Sequence, residues 1–211
     1  MQLAIPASTR LTYDITANKF PYSARAELLW QHDGSTYTAQ LQIHKLVLVR
    51  SQTSVGRLGA EGLAPTRFGD RTRSELAAHF DRDNGRITFS VNTPDSALLP
   101  GAQDRLSLLV QIAALVAGEP QRYAPATSIA LQTASAREAS VWLFTVEGWQ
   151  TLELAGTSMT ALKLSRNPRQ PYDQRIEVWL APALDYLPAR LRITESNGDY
   201  VDQQWHSSAA P

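Results

Sequence analysis

Residues 103–117 read QDRLSLLVQIAALVA, and how this stretch meets water decides the fold. As a helix it has almost no polar face. Beyond its first residues only Ser107 and Gln111 are polar, four positions apart on one narrow stripe; the rest of Leu106 to Val116 is apolar or small. A helix apolar nearly all round must be buried over most of its circumference. At about 1.5 Å per residue it is only ~22 Å long, too short to cross a bilayer. Asp104 is placed to bring negative charge to the positive helix end, and Gly118 followed by Pro120 supplies the stop.

The sequence around this helix is written in strand code. Leu11, Tyr13 and Ile15 alternate with polar residues, as do Ala24, Ala26, Leu28 and Trp30. Asp33-Gly34 turns the chain into Tyr37, Ala39, Leu41 and Ile43, and Leu46–Val49 reads as a more fully apolar strand. A second hairpin turns at Asp83-Asn84-Gly85, between Leu76–Phe80 and Ile87–Val91. The glycine-rich stretch between the hairpins, Ser54–Arg73, reads as a turn-rich connection or an irregular strand. After the helix, strand signals resume from Ile129, and Asn197-Gly198 is a sharp turn before a last strand, Tyr200–Trp205. Strands, one helix, then strands again, with no βαβ alternation, disfavours a doubly wound fold. The expectation is a mainly β protein: a single antiparallel, strongly curled sheet or half-barrel of about ten strands wrapping one apolar helix at 103–117. A single domain over 1–211 is expected, with 1–10 and 206–211 as poorly ordered tails.

Composition removes several function classes. With no cysteine among 211 residues there are no disulfides, thiolate metal clusters or thiol nucleophiles. Twenty basic residues balance twenty acidic ones, so no global positive excess points to nucleic acid. No run of 18 apolar residues announces a transmembrane segment. The start, MQLAIPASTR, lacks the basic region and apolar core of a signal peptide. Either the protein works in the cytosol or the chain begins after a removed export signal.

No motif carries bond-breaking chemistry. His32, His44, His79 and His206 show no metal-ligand spacing. Gly156-Thr157-Ser158-Met159-Thr160 lacks the second glycine of a nucleophile elbow, and Gly56–Gly62 has neither phosphate-loop nor dinucleotide spacing. Glu177 and Glu195 are expected to face solvent or a cross-strand arginine, Arg190 or Arg192. No catalytic residue, metal or cofactor is therefore assigned. Aromatic and guanidinium groups remain as binding candidates. Trp30, Trp142 and Trp179 fall on separate strands and can line a concavity. Arg71 and Arg73, beside Arg67, can hold an anionic head group, as can the group Arg166, Arg169 and Arg175. Trp30, Trp142, Trp179, Arg71 and Arg73 are the candidate ligand-binding residues.

Four segments resemble a known family: LGAEGLAPTRF at 58–68, DRDNGRITFSV at 81–91, QDRLSL at 103–108, and VWLAP at 178–182 running into YLPAR at 186–190. In this order they resemble the bacterial exported proteins grouped as domain-of-unknown-function family 3108, over about Leu11 to Trp205. The resemblance implies an envelope location in Gram-negative bacteria behind an export signal, hence a periplasmic chain that starts after that signal. It transfers no activity and no functional residue. In plan the chain is also similar, more loosely, to the curled sheets of outer-membrane lipoprotein carriers, a likeness of fold alone.

These readings converge on a non-enzymatic periplasmic binding or carrier module for an apolar or lipid-like ligand. The alternative is a structural or protein-interaction module, or a polysaccharide-binding one, with a filled core. Lipid, glycan or an envelope protein are the expected partners, and the oligomeric state is left open. The helix reading has its own test. An unpaired charge buried at Leu109→Asp or Ile112→Asp costs several kcal/mol, against a total stability of about 5–15 kcal/mol. Thermal unfolding followed by circular dichroism is expected to find both variants unfolded or aggregating; melting like the parent would contradict burial of the helix.

Overall fold

A computed structural model describes residues 2–45 and 48–211. Leu46 and Val47, part of the apolar strand expected at 46–49, lie outside the described residues. Among the described residues fifteen strands, not the expected ten or so, form one sheet, and it is mixed, not wholly antiparallel, because the two-residue strand leading into the helix runs parallel to its neighbour. The first eight are β1 (Thr9–Ala17), β2 (Phe20–His32), β3 (Thr36–Lys45), β4 (Leu48–Gly59), β5 (Gly62–Arg71), β6 (Glu75–Asp81), β7 (Arg86–Phe89) and β8 (Ser96–Ala97). The two-residue β9 (Gln103–Asp104) leads into helix α1 (Ser107–Gly118). Then follow β10 (Ser128–Ala134), β11 (Ala139–Leu154), β12 (Thr157–Arg166), β13 (Arg175–Leu180), β14 (Pro188–Thr194) and β15 (Tyr200–Ala209).

The order across the sheet is β8-β7-β6-β5-β4-β3-β2-β1-β15-β14-β13-β12-β11-β10-β9. Neighbours are antiparallel except β9 and β10, which run parallel. This order forces the curl. Laid flat, fourteen strand spacings of ~4.8 Å would hold β8 and β9 roughly 67 Å apart. Yet only residues 98–102 join them, and the six steps from Ala97 to Gln103 reach about 22 Å at most. The two edges must therefore nearly meet. Gln132 on β10 bridges the seam: its amide oxygen accepts the Leu99 N–H at 2.9 Å and its amide nitrogen donates to the Ala97 carbonyl at 2.7 Å. A side chain thus links edges that no ladder joins, and the sheet is curled further than a half-barrel.

Helix α1 lies inside. Leu106, Val110 and Ala113 pack with Leu11, Tyr13, Leu28, Trp30, Phe68 and Ile87 of the first meander. Leu108, Ile112, Leu115 and Val116 pack with Phe144, Val146, Leu162, Leu164 and Val178 of the second. The narrow polar stripe is used as a fastener. Gln111 accepts the Leu63 N–H at 2.8 Å and donates to the Glu61 carbonyl at 2.9 Å, gripping the tip of the β4–β5 hairpin. Gly62, at φ +96°, passes so close that a Cβ would sit 2.2 Å from Gln111 Oε1, so no larger residue fits. Gln103 adds a 2.7 Å bond to the Leu63 carbonyl. Two of the segments that carried the family resemblance, 58–68 and 103–108, are therefore bound to one another.

Several expectations are corrected. The helix spans Ser107–Gly118, later than 103–117, because Gln103 and Asp104 pair with Thr133 and Ala134 of β10. The stretch Ser54–Arg73 holds most of two long strands, joined at Gly59–Gly62, with Pro65 at a register shift. The expected ends are not loose tails. β15 runs to Ala209 against β1, the Pro6 carbonyl accepts the Trp30 indole N–H at 2.9 Å, and Ala4 N–H reaches the Ala114 carbonyl of the helix at 3.0 Å. Ile112 is fully buried, whereas Leu109 is half-buried beside open space, which makes Ile112→Asp the sharper test of helix burial.

Candidate functional site

Strand alternation places every second residue on the concave face. Along one rim these residues form a continuous apolar band. Ile15 on β1 stands opposite Ala24 and Gln203, and Ala17 opposite Val201. The row continues through Val201–Ile193 and Gln203–Leu191 to Ile193–Ile176. In the other direction Ile43 faces Arg50 and Leu41 faces Gln52 on β4. Leu106, Leu108 and Leu109 of the helix start approach this band, with Trp142 and Phe144 of β11 closing the wall. Between them lies a cavity of about 580 Å³. Asn18, Lys19, Thr72, Gln174, Glu195 and Asp199, all from turns at this rim or strand ends beside it, edge the cavity.

Two arginines, with Gln52 and Gln203, enter a mainly apolar wall. Arg50 is locked by Asp70 through two bonds, Nε to Oδ1 at 2.9 Å and Nη2 to Oδ2 at 2.5 Å. Arg105 has no such partner among the described residues. Its guanidinium stands 5.4 Å from the Trp142 ring centre, and its Nε is buried without a hydrogen bond among the described residues. A third guanidinium, Arg166, stands 4.6 Å from the same ring and is held by both carboxylate oxygens of Asp173.

The helix entry beside the cavity is a buried polar chain. Asp104 Oδ1 accepts the N–H groups of Leu106 at 2.9 Å and Ser107 at 2.7 Å, and Oδ2 accepts the Ser54 hydroxyl at 2.5 Å. Ser54 is in turn 3.0 Å from the Tyr37 hydroxyl. Asp104 thus accepts the amides of Leu106 and Ser107 from inside the protein, but it is neither the N-cap nor a first-turn acid as expected: the cap position falls to Leu106, because the helix begins at Ser107.

The structure brings one of the five candidate residues to the cavity. Trp142 lines it. Trp30 is wholly buried in the core against Tyr37. Trp179 belongs to a separate cluster with Leu152, Met159 and Ala189, on the sheet face opposite Val178 and Leu180. Its indole N–H donates to Gln150, and Lys163 and Arg190 lie over its ring. Arg71 and Arg73 are exposed and do not line the cavity. Arg67 pairs with Glu75. Glu177 bonds Lys163 and Arg175 rather than Arg190, which pairs with Asp202. Sequence reasoning passed over Arg50 and Arg105. The available signals were the inward phase Arg50–Gln52–Ser54 beside Ile43 and Leu41, and a charge placed immediately before a buried helix. Among the described residues, no three His, Asp or Glu side chains gather to hold a metal ion, and no helix is long and apolar enough to cross a membrane.

Comparison with known proteins places the family. The model for "Protein of unknown function (DUF3108)" matches residues 12–203, and the chain belongs to that family. Its fold is shared with a β-barrel-like protein of domain of unknown function DUF1849 from Brucella abortus, at TM-score 0.62 and 13% identity, covering 99% of this chain and 100% of that one. Weaker likenesses are to the Pseudomonas aeruginosa MucA/MucB complex, at TM-score 0.35 and 15% identity, covering 97% of this chain and 53% of that one. Another is to a putative outer membrane lipoprotein-sorting protein domain from Vibrio parahaemolyticus, at 0.30 and 9%, covering 96% and 85%. No curated protein matches the chain.

Burial pushes the Asp104 pKa from its ordinary 3.8 up to about 6, against the donors that favour its charged form. A carboxyl with a higher pKa folded than unfolded takes up a proton on folding. Its stabilising contribution is present below about pH 4 and is lost as pH rises through about 6. Asp104→Asn keeps an acceptor for the two amides and cannot ionise. In thermal melts its stability relative to the parent is expected to rise between about pH 4 and about pH 7; a difference unchanged across that range would contradict this assignment.

Proposed function

We propose that this protein is a non-enzymatic binding or carrier module of the bacterial envelope, working in the periplasm, with an apolar or lipid-like ligand held beside helix α1. The observation that carries this reading is the cavity. Its ~580 Å³ falls within the roughly 300–1,000 Å³ typical of small-molecule sites. Its wall is mainly aliphatic and aromatic, with a few polar groups, the composition such sites use. The helix lines it with its first turns only, while Leu115 and Val116 are packed into the second cluster. The space beside the helix favours this reading over the structural or interaction module with a filled core. Family membership supports the location, since the resemblance is to exported proteins.

The test is to fill the cavity. Leu109 projects into it from the helix and Ile43 from the sheet. N-phenyl-1-naphthylamine, an uncharged fluorescent probe, is expected to bind the parent protein. Leu109→Trp and, independently, Ile43→Trp are expected to weaken that binding about tenfold or more, while circular dichroism stays native. Undiminished binding in a folded Trp variant, or no binding by the parent, would overturn the reading.

A further inference from the structure

Four buried side-chain atoms lack a hydrogen-bond partner among the described residues: His32 Nδ1, Gln103 Oε1, Arg105 Nε and Arg192 Nε. Of these residues, Arg105 alone lines the cavity. A buried cation is costly unless it is paired, and the neighbouring arginines show what pairing looks like here. Arg50 has Asp70, and Arg166 has Asp173. No described carboxylate reaches Arg105. The acids whose fields it feels, Glu138 and Asp70, are opposed by the charges of Arg50 and Arg166, and burial pulls its pKa down. It also stands two residues before the helix, where the positive end of the dipole disfavours a cation. With no ion pair among the described residues, and only the fields of Glu138 and Asp70 to offset its charge, this half-buried guanidinium stands at an apolar chamber large enough for a small molecule.

We propose that the cavity takes an anionic amphiphile, with a carboxylate or phosphate head group on Arg105 beside Trp142 and a hydrocarbon tail along Ile43, Leu109 and Ile193. This rests on the ligand-carrier reading and names the class of ligand. The guanidinium fork suits a planar or tetrahedral oxyanion through two parallel bonds. Arg50 is already engaged by Asp70 and adds positive field. The apolar band supplies burial for the tail.

The experiment displaces N-phenyl-1-naphthylamine with four sixteen-carbon competitors: palmitate, hexadecyl phosphate, hexadecanol and hexadecyltrimethylammonium. The parent is expected to prefer palmitate, hexadecyl phosphate or both over hexadecanol by about tenfold. The palmitate and hexadecyl phosphate arms show which oxyanion is favoured. Arg105→Gln is expected to erase the preference while leaving hexadecanol unchanged, and Arg105→Lys to keep part of it. Because Arg105→Gln removes a half-buried charge without an ion-pair partner among the described residues, it is expected to melt no lower than the parent. The inference is overturned if the parent binds hexadecanol as well as the anions, if Arg105→Gln keeps the preference, or if Arg105→Gln melts well below the parent, which would mark a structural residue. Equal binding of all four competitors leaves the carrier reading standing and removes only the head-group assignment; no binding of the probe or of hexadecanol removes both.

Discussion

A helix without a polar face cannot rest on the side of a sheet; it has to be surrounded. Helix α1 imposes that condition, and the rest of the molecule meets it. Two antiparallel meanders, joined where β1 pairs with β15, bring apolar residues to the helix from both directions. The five-residue passage between β8 and β9 then fixes how far the sheet must bend. Most backbone groups are satisfied by the ladders. Where the ladder stops, at the seam and at the helix entry, the side chains Gln132, Gln111, Gln103 and Asp104 take over. Leaving such a group unpaired in the interior costs about 1–3 kcal/mol, which gives these polar residues a structural reason to sit inside.

The same condition explains why a cavity lies where it does. A helix of 12 residues spans about 18 Å and does not fill the length of strands as long as 16 residues. Its C-terminal half is packed on the second cluster and crossed by the N-terminal segment, where Ala4 bonds Ala114. Its first turns face the rim formed by Ile15, Ile43, Ile193 and their neighbours, and that side remains open. Arg105 stands at this junction because it immediately precedes the helix. Its position is set by the fold, and its lack of a partner by the absence of any described acid within reach.

The legible parts of the sequence were those where pattern and packing agree. Asp33-Gly34, Asp83-Asn84-Gly85 and Asn197-Gly198 marked real turns, with Gly34, Gly85 and Gly198 all at positive φ. The alternation of β1, β2 and β3 gave the buried face directly. Reading failed where the concave face is polar. In β4 the inward positions Arg50, Gln52 and Ser54 hide the cavity wall, and the glycines and Pro65 of Ser54–Arg73 made the rest of β4 and all of β5 look irregular. The helix start was placed too early because Gln103 and Asp104, buried by tertiary bonds, resemble a helical first turn. Among the tryptophans, composition could not tell Trp142, at the cavity, from Trp30 in the core or Trp179 on the opposite face. Which side chains converge depends on the curl, and no local pattern encodes it.

The account stands or falls on whether the space beside the helix start is where a ligand goes. Methyl-labelled protein mixed with a stearate carrying a nitroxide near the middle of its chain answers this by magnetic resonance. The account predicts the strongest broadening at the Leu41, Ile43, Leu109 and Ile193 methyls, falling off with distance toward Leu152 and Leu154 of the cluster on the opposite sheet face. Broadening confined to exposed residues such as Val49 and Val141, with the cavity methyls untouched, would contradict it.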